Sequence, residues 1–162
     1  MNAIVVDRRA LVALAIDAAR SGDTDTVTRA IASGVDVNAI SPRGDSLLML
    51  ACYYGHTGTV RALIERGADI NQRDGRGQTP LSGVAFKGLI DVAAVLVEAG
   101  AAIDAASPDG RTPLMMAAAF NREEMVVWLL AHGALQDARD ANGLRAIDIA
   151  GAMGANLNLF RA

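Results

Sequence analysis

His56, His132 and Cys52 are the side chains best suited to ligate a metal or attack a substrate, and they are too sparse to do either together. The chain holds two histidines and one cysteine. A zinc site built on them would need carboxylates from elsewhere, and they show no ligand spacing. Cys52 stands where a small packing residue is expected, which predicts an inert buried thiol rather than a nucleophile. His132 lies one residue before a helix-ending glycine, where a polar or cationic group favours the helix C-terminus. Glu123 and Glu124 open a helix, where acidic residues favour the dipole, and that role outweighs acid–base work. Lys87 stands alone before Gly88, and the glycines never gather with a lysine into a phosphate-binding loop. No catalytic, cofactor or metal residue is assigned; the chain reads as a protein that is not an enzyme and takes no cofactor.

Glycine spacing sets the elements that carry these residues. Gly34, Gly67, Gly100 and Gly133 return every 33 positions, and Gly44, Gly77, Gly110 and Gly143 repeat the period ten residues further on. Gly22, Gly55, Gly88 and Gly154 keep the same register, with Asn121 in the remaining slot. A period of this length marks a stacked repeat architecture. The units run 8–40, 41–73, 74–106, 107–139 and a shortened 140–162, within one domain spanning 1–162. In the third, Thr79 caps a helix and Pro80 fits its first position, and Thr112-Pro113-Leu114 repeats the device. Gly88 ends this first helix in a left-handed cap. Small residues recur on the first helices at Ala51-Cys52, Val84-Ala85 and Ala117-Ala118, permitting close approach of the next unit. The second helices carry larger apolar stripes: Val60, Leu63 and Ile64; Val92, Val95 and Leu96; Met125, Val126, Leu129 and Leu130. Asn38, Asn71, Asp104 and Asp137 share one slot after the second helix, where such side chains bond local backbone and shape the following turn.

Gln78-Thr79-Pro80-Leu81, Ala51-Cys52-Tyr53-Tyr54-Gly55-His56 and Gly67-Ala68-Asp69-Ile70-Asn71 resemble the signature segments of ankyrin repeats, in the right order and spacing over essentially the whole chain. The resemblance implies an all-α solenoid of helix–turn–helix units joined by β-hairpin-like loops, and a binding function. It also gives His56 the slot after the inter-helix glycine, where histidine serves the turn. The family's histidine after Thr-Pro-Leu is replaced by Ser82, Met115 and Asp148. The second unit has Ser46-Leu47 for Thr-Pro, with Ser46 still able to cap, and the last has Arg145-Ala146. The fourth ends with a shifted Gly133-Ala134-Leu135-Gln136-Asp137. The end units read as caps. Thr24, Asp25, Thr28 and Arg29 give the first an outer polar face, and Asn156 to Ala162 make a short helical turn in which Leu157, Leu159 and Phe160 close the stack.

Composition narrows the partners. A net charge of −3 with mixed signs points to no nucleic acid and no anionic membrane, and apolar runs such as Ala10–Ile16 and Leu114–Phe120 are far short of a membrane span. Arg8-Arg9 before Ala10–Ile16 has the outline of a secretory signal, but Asp17 breaks the run while Ala18, Ala19 and Gly22 already keep the repeat register. One cysteine gives no sign of an oxidising compartment, so a cytoplasmic monomer is expected.

What remains is surface. If the resemblance holds, the two residues before each inter-helix glycine slot lie at the end of a first helix on the inner side of the stack. The chain has one Trp, two Tyr and three Phe, and Tyr53, Tyr54, Phe86 and Phe120 fall in these slots, with Lys87 beside Phe86. Trp128 and Phe160 read as structural. Grouped aromatics suit an anchor strip for a protein partner; the alternative is that they only pack over neighbouring helix ends. Arg43, Arg76 and Arg111 at the hairpin tips, with Asp45, Gln78 and Asp109, form a mixed-charge fringe that either orients a partner or is simply solvated. The leading reading is a non-catalytic protein-binding module for a partner the sequence does not identify. Inhibition of a specific enzyme by the same surface is the nearest alternative, and an enzyme or metal-dependent factor on the same scaffold is the alternative of another class.

Overall fold

The computed structural model describes residues 7–161. Its helices come in antiparallel pairs: α1 (Arg8–Ser21) with α2 (Thr24–Ala32), α3 (Leu47–Tyr53) with α4 (Thr57–Glu65), α5 (Pro80–Lys87) with α6 (Ile90–Glu98), and α7 (Pro113–Ala119) with α8 (Glu123–Ala131). Then come α9 (Ala146–Ala152) and a 3₁₀ turn at Leu157–Phe160. The first helices α1, α3, α5, α7 and α9 pack on one another in a row, and α2, α4, α6 and α8 form a second row.

The starts of the first helices are made as the sequence predicts. The hydroxyls of Ser46, Thr79 and Thr112 accept from the backbone N–H of Met49, Ser82 and Met115 at 3.0, 3.3 and 3.3 Å. The Thr79 hydroxyl also donates to Ser82 Oγ at 3.3 Å. All three glycine ladders have positive φ, and Asn121 keeps that conformation at φ 53°. Between helix pairs the chain doubles back, the N–H of Ser41, Asp74, Ser107 and Asp140 donating to the carbonyls of Asp45, Gln78, Arg111 and Leu144 at 2.8, 2.9, 2.9 and 3.0 Å. The shifted segment of the fourth unit therefore leaves its hairpin closed like the others.

A single apolar cluster runs from Ala15 to Phe160. Leu63, Leu81, Leu96, Leu114 and Leu129 are among its fully buried side chains, as the stripes require. Cys52 lies within it at 1% exposure, and burial raises its thiol pKa far above the ordinary value, so the group is protonated and shielded.

Several expectations need correction. The shared Asn/Asp slot does not serve its own turn: Asn38, Asn71 and Asp104 accept from the backbone N–H of Asp69, Ala102 and Leu135 in the following unit. His56 reaches back too, its Nε2–H donating to the Arg20 carbonyl at 2.7 Å, and Arg122 does the same to the Phe86 carbonyl at 2.9 Å. Thr24 is not on an outer face, because its hydroxyl bonds the buried Thr59 hydroxyl at 2.7 Å. In the final turn Phe160 is buried and Leu159 packs on the core, whereas Leu157 is exposed, lying over Gly151. Ala162, included in that expectation, lies outside the described residues.

Candidate protein-binding surface

Tyr53 is the last residue of α3 and Tyr54 its C-cap; Phe86 and Lys87 end α5; Phe120 is the C-cap of α7. Stacking the units brings these helix ends into a line. Tyr54 meets Tyr53 edge-on with centroids 5.6 Å apart, Tyr53 stacks on Phe86 at 6.3 Å, and Phe86 meets Phe120 edge-on at 4.3 Å. Phe86 and Tyr53 are half-buried and their rings meet across adjacent units, while Tyr54 and Phe120 keep 52% and 45% of their surface exposed.

The facing wall comes from the hairpins, whose tips are fixed from within. The buried Ser41 hydroxyl accepts from the N–H of Arg43 and Asp45 at 3.3 and 3.2 Å. Asp74, in the same slot of the next unit, accepts from Arg76 and Gln78 at 2.8 and 2.9 Å. Such bonds fix the backbone of the arginine-bearing tips. Arg76 Nε lies 3.6 Å from Asp74, and Arg111 Nε lies 3.5 Å from Asp109. A hydrogen bond from Ser107, with a lesser contribution from Arg111, holds the Asp109 carboxyl below the usual carboxylate range.

Strip and hairpins enclose one cavity of about 550 Å³. Of the candidate residues, Tyr53, Tyr54, Phe86, Phe120, Arg43, Arg76 and Arg111 all line it. Lys87 does not; its Nζ sits 4.6 Å from the Tyr53 ring centroid, a cation–π contact on the strip's flank. Sequence reasoning missed the floor, where Leu50, Gly83 and Met116 occupy one register slot of successive units. Their spacing of 33 was the available signal. The cavity offers rigid apolar surface beside cationic groups, the makings of a contact patch.

Trp128 packs against the core from its edge, in keeping with a structural role. It is half-buried, stacks on His132 at 3.8 Å, and lines a shallower apolar cleft with Ile90, Val127 and Leu159. His132 meets its expectation at the helix end, its Nδ1–H donating to the Trp128 carbonyl at 2.7 Å. Among the described residues no three His, Cys, Asp or Glu side chains gather as a metal site, and no helix is long and apolar enough to cross a membrane.

A family model of ankyrin repeats in three copies matches residues 15–107, and another of ankyrin repeats in many copies matches residues 96–150. A search of curated proteins finds no match to the chain. On the strength of the repeat register, the stacked helix pairs and these matches, the chain belongs to the ankyrin repeat family.

Proposed function

We propose that the chain is a non-catalytic module that binds another protein, as a monomer, in the groove between the first-helix ends and the hairpins. Ankyrin repeats generally serve as protein–protein interaction modules. The observation that carries the reading is the convergence of aromatics and arginines on one cavity of about 550 Å³. Tyr54 and Phe120 are the anchors, since they keep apolar surface free; Arg43, Arg76 and Arg111 steer and orient from the rim. Lys87 extends the cationic flank beside Tyr53.

The test begins by recovering the partner from native lysate and continues with titration calorimetry. Tyr54→Ala and Phe120→Ala each weaken binding by about 2 kcal/mol, roughly thirtyfold, with melting nearly unchanged. Arg76→Ala acts mainly on association rate and its salt dependence. Full affinity in both aromatic variants, with lowered melting, returns the strip to packing alone.

A further inference from the structure

First helices and hairpins line the groove, and the second helices present a separate outer face. In α8 that face changes character. The slot that holds Thr28, Arg61 and Ala94 in α2, α4 and α6 holds Val127 in α8, and Ala131 stands where α4 and α6 carry Glu65 and Glu98. Packing within the chain calls for neither. Val127 is 49% exposed, Ala131 is exposed, and a β-branched residue at an exposed helix position gives up helix propensity relative to arginine or alanine. With Trp128, with Ile90 at the start of α6 and with Leu159 of the 3₁₀ turn, they line an open cleft of about 470 Å³. Ala131 follows Trp128 by three residues and Val127 by four, so these side chains share one face of α8.

The cleft also carries charge of one sign. Two of its lining residues are charged, Glu123 and Glu124; both are exposed and make no ion pair among the described residues. Nearby cations leave them uncompensated. Arg122 turns its Nε–H to the Phe86 carbonyl, and Arg161 beyond the turn makes no ion pair among the described residues. The His132 ring lies on Trp128, with Nδ1 on that residue's carbonyl. Asp91, exposed beside Ile90, has the same sign as the glutamates.

We propose that this cleft is a second interaction surface, which takes an amphipathic helix of a partner protein laid along α8, its apolar stripe on Val127 and Trp128 and a Lys or Arg against Glu123 and Glu124. The walls explain the choice of a helix. They are made of helix and turn and offer side chains, whereas an extended segment gains its affinity from a sheet edge that pairs its backbone. A helix pairs its own backbone and packs by its stripe, as α4, α6 and α8 already pack on their predecessors. The apolar wall supplies the contact, and the carboxylates set the sign of the partner's charge. The proposal stands apart from the groove, whose residues it does not use.

The full chain is immobilised and used to select from a displayed library of Trp-free, alanine-based peptides of about eighteen residues, long enough to be helical alone and randomised on one face. The chain has a single tryptophan, so the emission of Trp128 reports this cleft without a label. Selected peptides are expected to carry apolar residues at spacings of three and four with a Lys or Arg nearby, and to shift the Trp128 emission on titration. Val127→Arg, which introduces the residue that α4 has in this slot, lowers their affinity roughly tenfold or more. Glu124→Gln lowers it about threefold and weakens its salt dependence. Both positions are exposed, so melting changes little; should Val127→Arg melt low, Glu124→Gln and the Trp128 signal carry the test. Tyr54→Ala leaves binding unchanged, and peptides that it releases belong to the groove and overturn the cleft as their site. Peptides that bind Val127→Arg at full strength, or leave the Trp128 emission unchanged, overturn the cleft. Binders without a cationic residue, or indifferent to Glu124→Gln, overturn the charge pairing. Self-association of the free chain that Val127→Arg abolishes makes the cleft a contact between copies and overturns the partner helix, and a library without binders overturns recognition of a helix there.

Discussion

Asn38, Asn71 and Asp104 join units rather than shape their own turns: each Oδ1 accepts a backbone N–H from the next unit, at 2.8, 3.0 and 2.9 Å. Together they tie one inter-unit step to the next along the edge of the stack. Asp137 occupies the same slot but has the shortened unit after it, and its carboxylate lies 3.7 Å from Arg145 instead. This pair of sites separates a stacking bond from a surface polar group. Asn71→Ala should cost about 1 kcal/mol in urea denaturation, and Asp137→Ala less than about 0.5 kcal/mol. Equal losses would mean that the bond from the Ala102 N–H to Asn71 adds nothing to the stack. The sequence displayed the ladder but not its purpose. A short amide side chain has local backbone within reach in any loop, and the actual donor lies 31 residues away, brought near only by the stack.

At the scale of one helix, α9 shows how a missing signal is replaced. Arg145-Ala146 reads as the loss of a hydroxyl cap, yet the helix start is closed from inside: Asp148 Oδ2 accepts from the Arg145 backbone N–H at 3.0 Å and from Arg145 Nε at 3.1 Å. The hydrogen bond from the Arg145 side chain, followed by that from its backbone, lowers the Asp148 pKa below its ordinary 3.8. With the folded pKa below the unfolded one, the contribution is complete above about pH 4 and is lost as pH falls through the folded value. The hydroxyl caps of α3, α5 and α7 do not titrate in this range. Amide-exchange protection over Ile149–Ala152 should therefore fall as pH drops below about 4, before that of α5, and Asp148→Asn should lower it at neutral pH and flatten the acid response. Identical profiles in the wild type and Asp148→Asn would remove the carboxylate from the cap. Thr-Pro and Ser starts were legible because each cap lies within three residues of its acceptor or donor. The substitution of a carboxylate at the third helical position was visible in the sequence, but only its rotamer shows that it turns back.

Across the whole molecule, apolar residues are buried chiefly between neighbours, in a cluster continuous from Ala15 to Phe160. Glycine period and apolar spacing exposed this plan, since they record local turns and one face of each helix. The meeting of Tyr53 and Phe86 with the hairpins of Arg43 and Arg76 was less legible, because it depends on how units rotate against one another. The cleft beside Trp128 was illegible for a related reason: the apolar pattern of α8 placed Trp128 on the core, and only the stack shows that its position also borders an open cleft. The same logic fixes what the last unit must do. The packing of α9 on α7 buries Ala146, Ile149 and Ala150, the 3₁₀ turn packs against α8 and α9 with Phe160 buried, and the Ala141 N–H donates to the Asp109 carbonyl at 2.8 Å. In a stack whose stability is a sum of units and interfaces, removing an end removes one full interface and leaves the previous one bare. Deleting residues 140–162 should expose the α7 and α8 surfaces now covered, including Met115 and Met116, which are 1% and 7% exposed in the intact chain. A loss of several kcal/mol from a chain of this size lowers melting by about 10 °C or more, and the bared apolar face favours aggregation. Calorimetry with size-exclusion chromatography decides the point. A truncated protein that stays monomeric and melts at the wild-type temperature would make this segment a tail resting on a stack that is already complete.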